Sequence, residues 1–227
     1  MNHLMNFDFI IATGNTGKAR EISDILALAG GSACSLRVIA LSDAIGFMPN
    51  IDENGNTLYD NAQIKARAAR KALQEHDPDI ASRAIVIADD SGLFVDCLDG
   101  RPGVHSARYA GPGATPAQQI AALLAELGRA PSNNRQAAFR CAMVAICPDG
   151  REFSSEGARS GEIGLHPIGS NGFGYDPIFY LQEYKCTMAE LPGEEKNKLS
   201  HRAKALAALV AELDDYLKNL NSKNSKI

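Results

Sequence analysis

Two adjacent carboxylates, Asp89 and Asp90, close a short apolar run and are followed by Ser91 and Gly92. Side chains alternate along an extended chain, so neighbouring acids point in different directions and do not form a symmetrical pair. One of them can hold magnesium and orient a water while the other supports the loop, because hard oxygen donors suit that cation. A polar turn with an aspartate cap is the plainer alternative. The haloacid-dehalogenase arrangement requires one residue between its two aspartates, and here there is none. Asp52 and Glu53, just before Gly55, complete a metal site if the fold brings them near; taken alone they read as a solvated loop.

Three further segments carry chemistry. In Thr13-Gly14-Asn15-Thr16-Gly17-Lys18, glycines let backbone N–H groups approach a ligand, a following helix N-terminus favours phosphate, and Lys18 adds a full charge. A P-loop is excluded, since its first glycine falls on Ala12 and its Ser/Thr on Ala19; an ordinary strand-to-helix turn is not. Gly172-Phe173-Gly174-Tyr175-Asp176 offers aromatic faces for a nucleobase and a carboxylate for polar ligand groups, or else two core plugs. In Lys196-Asn197-Lys198-Leu199-Ser200-His201-Arg202, Lys196 can neutralise phosphate and Arg202 presents a planar fork, against the alternative of a cationic helix surface. His201 alone is a weak signal.

The elements that must position these residues follow from periodicity. Phe7 to Thr13 reads as a buried strand, residues 14–17 as a loop, and Lys18 to Leu28 as a helix with Ala19, Ile22, Ile25, Leu26 and Ala29 on one face. Leu36 to Leu41 supply a strand, and Thr57 with Asp60 opens a helix to about Glu75. Ala84 to Ala88 form a buried strand ending in a turn at Asp89–Gly92, with Leu93 to Cys97 extended beyond it. Thr115-Pro116 starts a helix that Gly128 ends. Gln136 to Cys147 and Glu152 to Ile163 flank Pro148-Asp149-Gly150 as an antiparallel hairpin, which makes the sheet mixed. A strand at Pro177 to Leu181 precedes a long terminal helix buried through Leu199, Ala203, Leu206, Leu209, Val210, Leu213 and Leu217.

With 227 residues and a 45% hydrophobic composition, the chain can bury a substantial core. A net charge of −4 argues against nucleic-acid wrapping, which needs a basic face, but permits a small anion held locally. The five cysteines have no Cys-x-x-Cys spacing and read as reduced core residues. The N-terminal residues lack a positive region, the apolar stretch from Phe7 to Ala12 is interrupted by Asp8, and nothing approaches the roughly 20 apolar residues of a membrane span. The expected partners therefore exclude nucleic acid and membrane, and the expected location is cytoplasmic.

TGNTGK (13–18), ADDSGL (88–93), PGVHSARYAG (102–111), GFGYDPIF (172–179) and EKNKLSHRAKAL (195–206) occur in an order and spacing that resembles the inosine/xanthosine triphosphate pyrophosphatases, the Ham1-like family. The resemblance covers nearly the whole chain. It implies an α/β fold, an elongated mixed β-sheet with flanking helices and two lobes around a central cleft, formed by residues 1–220 with a frayed tail at 221–227. It implies magnesium-dependent hydrolysis of dITP and XTP to the monophosphate and pyrophosphate, by a homodimer. By the same resemblance, Asp90 is proton acceptor and metal ligand, joined at the metal by Asp52 or Glu53. Thr13, Gly14, Asn15, Thr16, Gly17 and Lys18 bind phosphates, and Ser91 contacts substrate. Phe173, Gly174, Tyr175 and Asp176 line the nucleoside site, completed by Lys196, His201 and Arg202. His105 stands where many relatives carry tyrosine. A Maf-type pyrophosphatase acting on modified or pyrimidine nucleotides, and a nucleotide-binding regulator without turnover, are the competing readings.

Overall fold

The computed structural model describes residues 7–30, 37–130 and 132–224. Its elements run β1 (Asp8–Ile11), α1 (Thr16–Gly30), β2 (Arg37–Ala40), α2 (Leu41–Ile45), α3 (Leu58–His76), α4 (Pro78–Ala81), β3 (Ala84–Val95), α5 (Pro116–Leu127), β4 (Gln136–Ile146), β5 (Glu152–Ile163), β6 (Phe179–Leu181), β7 (Cys186–Thr187), α6 (Gly193–Leu199) and α7 (His201–Asn224). Seven strands form one sheet in the order β2-β1-β3-β4-β5-β6-β7. β1 runs parallel to β2 and β3, whereas β6 is antiparallel to β5 and β7. The expected mixed α/β sheet is therefore present. At the β4–β5 connection the Cys147 N–H bonds the Arg151 carbonyl, and at the far end the Ile163 N–H bonds the Arg135 carbonyl. That descending register is an antiparallel hairpin.

The chain divides into two compact units, one drawn from residues 1–90, 142–156 and 203–227, the other from 91–141 and 157–202. In the first, Ala62, Ala66, Ala69 and Leu73 of α3 pack with Ile10 of β1 and Ala84, Val86 and Ala88 of β3. Alanine at helical spacing removes side-chain bulk from the packed face. Phe9, Ile11, Ile85 and Ile87, of the opposite parity, are equally buried, so β1 and β3 are apolar on both faces, as parallel strands covered on both sides are. In the second unit Ile120, Leu123 and Leu127 of α5 join Leu93, Val95, Phe139, Ile178 and Phe179 in one core.

Helix boundaries follow local chemistry. Thr57 caps α3 and is bonded back by Asp60, a full capping box with aspartate in place of the usual Glu or Gln. Thr115, Gln118 and Pro116 start α5 in the same way. Gly128 ends α5 but at φ −67°, so its left-handed freedom is not used.

The structure corrects several sequence expectations. Asp89–Gly92 is not a turn: β3 runs unbroken through it to Val95. Leu41 opens α2 rather than extending β2, and Leu36 lies outside the described residues. Pro177 and Ile178 form a 3-10 turn ahead of β6, and Cys97 lies in another at Asp96–Leu98. Leu199 ends α6, since Ser200, at φ −66° and ψ 155°, separates that helix from α7. Cys97, Cys141, Cys147 and Cys186 are in the reduced form; Cys34 lies outside the described residues. Among the described residues no helix is long and apolar enough to cross a membrane.

Candidate active site

Continuity of β3 decides where the acids point. Even positions 84, 86 and 88 face α3, so Asp90 faces it too, while Asp89 takes the opposite side with Ile85 and Ile87. Asp89 is fully buried and forms an ion pair with Lys18 of α1 at 3.1 Å. Asp90 receives Lys65 Nζ at 3.1 Å and Asn61 Nδ2 at 3.2 Å, both from α3. An ammonium has three donors, so Lys18 keeps two beyond Asp89.

Lys65 and Asn61 are the residues that reading the sequence missed. They lie one helical turn apart, on the side of α3 that carries its alanine stripe, and both are buried. Lys65 Nζ also pairs with Glu53 at 3.1 Å. Burial alone would lower the lysine pKa, but the carboxylates of Asp90, Asp89 and Glu53 and the hydrogen bond to Asp90 outweigh it and raise it above its ordinary value. The available signal was a lysine and an asparagine embedded in Ala62, Ala66 and Ala69 spacing, where a solvated polar face is not expected.

Lys65 also separates Asp52 from Glu53. Glu53 shares this lysine with Asp90, whereas Asp52 is exposed and accepts from Asn54 Nδ2 at 3.3 Å. Among the described residues no group of three His, Cys, Asp or Glu gathers as a metal cage. Magnesium does not need one: it takes one or two carboxylates and completes its octahedron with waters and substrate phosphates. Glu53 and Asp90, two carboxylates converging on one cation, fit that donor set.

In the phosphate-loop candidate, Asn15 Oδ1 accepts from the N–H groups of Gly17 (2.9 Å) and Lys18 (3.1 Å), which makes Asn15 the N-cap of α1. Asn15 N–H in turn donates to Thr13 Oγ1 at 3.2 Å. Two of the backbone donors expected to face phosphate are thus taken by the cap. A Cβ added to Gly14 meets nothing within 4 Å and its φ is not positive, so no protein contact demands glycine there. Open space beside Gly14, the exposed hydroxyl of Thr16 and the Lys18 ammonium are what this loop offers an anion.

The second unit carries the aromatic loop. Gly172 (φ +77°) and Gly174 (φ +63°) flank Phe173, and a Cβ on Gly172 would lie 2.1 Å from Asp176 Oδ2. Asp176 Oδ2 accepts from Phe173 N–H at 2.8 Å and from Lys196 Nζ at 2.6 Å. Asp176 is buried, so its carboxylate anchors the loop. Tyr175 is buried in the core, and its hydroxyl donates to the Ser106 carbonyl at 2.9 Å. Desolvation pushes its pKa well above the usual phenol range. Tyr175 therefore plugs the core, while Phe173 stays half-buried.

Lys196 Nζ sits 4.5 Å and Arg202 Cζ 5.6 Å from the Phe173 ring centroid. In one continuous helix, residues six apart point about 120° away from each other; the break at Ser200 lets both reach one ring. Arg202, essentially without exposure, donates to Ser91 Oγ at 3.1 Å. His201 stacks on Phe139, with ring centroids 4.9 Å apart. His105 is exposed on a 3-10 turn next to the buried Ser106.

A model of the Ham1 family matches residues 9–212. The chain is similar to a dITP/XTP pyrophosphatase of Geobacillus kaustophilus, 46% identical over 89% of this chain and 92% of that protein. It is 44% identical to one of Bacillus subtilis, over 88% and 93% respectively. Among solved structures, a HAM1 protein from Coxiella burnetii matches with a TM-score of 0.77 at 35% identity, covering 92% of this chain and 99% of that one. A nucleoside-triphosphatase / dITP/XTP pyrophosphatase from Mycobacterium abscessus matches with a TM-score of 0.65 at 40% identity, covering 91% and 100%.

Proposed function

The chain belongs to the Ham1 family, and from that premise we propose that it hydrolyses the non-standard purine nucleoside triphosphates dITP and XTP to the monophosphate and pyrophosphate. The observation that carries the reading is the buried Asp90 carboxylate, held by Lys65 and Asn61 and sharing Lys65 with Glu53. Asp90 accepts the proton of the water that attacks the α-phosphorus. Lys65 and Asn61 orient its two oxygens, so the base needs no rearrangement when charge develops. Lys18, anchored by Asp89, neutralises phosphate oxygens with its remaining donors. Magnesium, when held by Glu53 and Asp90, supplies further charge neutralisation on the triphosphate.

For the base, the proposal rests on Phe173 as a stacking face, with Lys196 and Arg202 beside it. Lys and Arg side chains only donate. A purine with a 6-oxo acceptor matches them, and the 6-amino group of adenine does not. Guanine shares the 6-oxo group, so exclusion of GTP turns on its 2-amino group or on local geometry. In this reading residues 1–220 form one catalytic domain. A homodimeric state is carried with it from the family resemblance, and the cytoplasmic location expected from the sequence is kept. The test is a panel of dITP, XTP, ATP, GTP, UTP and methylated UTP with magnesium, scored by pyrophosphate release and kcat/KM. Preference for dITP and XTP is expected; preference for UTP or methylated UTP sinks the assignment, and tight binding without release makes the protein a regulator.

A further inference from the structure

We infer that Asn61 is a positioning residue that locks Asp90 and the acidic segment carrying Glu53 into a single register. The inference rests on the reading of Asp90 and Glu53 as the acids of the site. Asn61 has no exposure and lies inside α3, where asparagine is a poor helix former. Its two amide ends face groups of opposite demand. Oδ1 accepts from the Gly55 N–H at 2.8 Å, and Nδ2 donates to Asp90 Oδ2 at 3.2 Å. A backbone N–H can only donate and a carboxylate only accept, so the bridge needs both functions on one short side chain. Aspartate would keep the first contact and turn the second into repulsion. Leucine, of similar shape, would lose both.

Gly55 is shaped to the same end. A Cβ there would lie 2.5 Å from Asp60 Cβ and 2.8 Å from Asn61 Oδ1, so the segment lies hard against the first turn of α3. Glu53 is two residues from Gly55 and pairs with Lys65, one turn beyond Asn61. Asp90 and Glu53 are thus tied to adjacent turns of one helix, Asp90 through both Asn61 and Lys65, the acidic segment through Gly55 and Glu53.

The experiment compares Asn61→Asp, Asn61→Leu and Gly55→Ala with the unsubstituted protein by thermal unfolding, amide hydrogen exchange at Gly55, Mn2+ binding without nucleotide, and dITP kinetics. In Asn61→Leu, exchange at Gly55 accelerates roughly tenfold, the loss of one hydrogen bond. In Asn61→Asp, that protection is kept while kcat falls on the order of 100-fold with KM little changed, the effect of a misplaced catalytic group. In Gly55→Ala, Mn2+ binds more weakly because Glu53 is displaced. Unchanged Gly55 exchange in Asn61→Leu, unaltered kcat in Asn61→Asp, or a kcat loss that merely tracks the unfolded fraction overturns the inference. If the unsubstituted protein releases no pyrophosphate, the functional reading fails, while the exchange and Mn2+ measurements still decide whether Asn61 is the lock.

Discussion

The acidic cluster of the first unit and the aromatic loop of the second achieve order by opposite means. Around Asp90 every participant except Glu53 sits on regular structure, and each carboxylate is matched by an ammonium or amide from a helix. Around Phe173 the backbone itself is irregular: two glycines at positive φ bracket the ring, and the buried Asp176 carboxylate holds the loop by accepting from the Phe173 N–H and from Lys196. Regular elements hold charges at fixed separations, which suits a base and metal ligands. A glycine-hinged loop lets one ring and two cations converge, which suits recognition of a flat, polar-edged base. Damage to the first region should therefore appear in kcat, and damage to the second in KM.

Asp90→Asn breaks the contrast hardest. A neutral amide cannot accept the proton, so kcat on dITP should fall by about 10²–10⁴ with an unaltered circular-dichroism spectrum; near-normal turnover removes Asp90 from that role. Lys65→Met comes next, leaving Asp90 and Glu53 facing each other without their shared cation. It should cost about 3 kcal/mol of stability by denaturant titration, the low end for a broken pair because Glu53 is partly exposed. The folded lysine pKa is raised above 10.5, so the stability it provides is complete below that pH and is lost as pH rises through the folded value. The stability gap between the two proteins should therefore close only above pH 10.5; a gap already closing at pH 8 contradicts the pairing.

In the second region the effects are smaller. Phe173→Leu keeps an apolar residue but loses the stacking face, and KM for dITP should rise roughly 10-fold with kcat within a factor of about three, in line with stacking worth about 1–3 kcal/mol. An equal fall in kcat would merge the two regions into one functional unit. Tyr175→Phe is the smallest: it removes the bond to the Ser106 carbonyl and should cost about 1 kcal/mol in unfolding free energy, with kcat/KM unchanged. A specific loss of substrate affinity would return Tyr175 to the nucleoside site.

Legibility in the sequence followed distance along the chain. The Thr57 and Thr115 caps and the hairpin at Pro148–Gly150 were readable because each depends on residues within a few positions. The Asp89–Gly92 stretch was misread because its composition is that of a turn. Its extended path depends on Lys18, 71 residues before Asp89, and on Lys65, 25 residues before Asp90. Without those cations two buried acids in a strand would be prohibitive. Tyr175 could not be told from Phe173 by residue type, since only packing shows which ring faces the core.

Residue types and their order were enough to settle that this chain carries a pair of acids after an apolar run, a glycine loop with a lysine, an aromatic loop and a late cationic segment, because motifs are local and survive in one dimension. The tertiary structure alone decided that Lys65 and Asn61 belong with Asp90, that Glu53 rather than Asp52 joins them, and that Asp176 is an anchor. Those assignments are burial and charge compensation between groups far apart in sequence, and a buried charge has no identity as partner or ligand until the fold supplies the group opposite it.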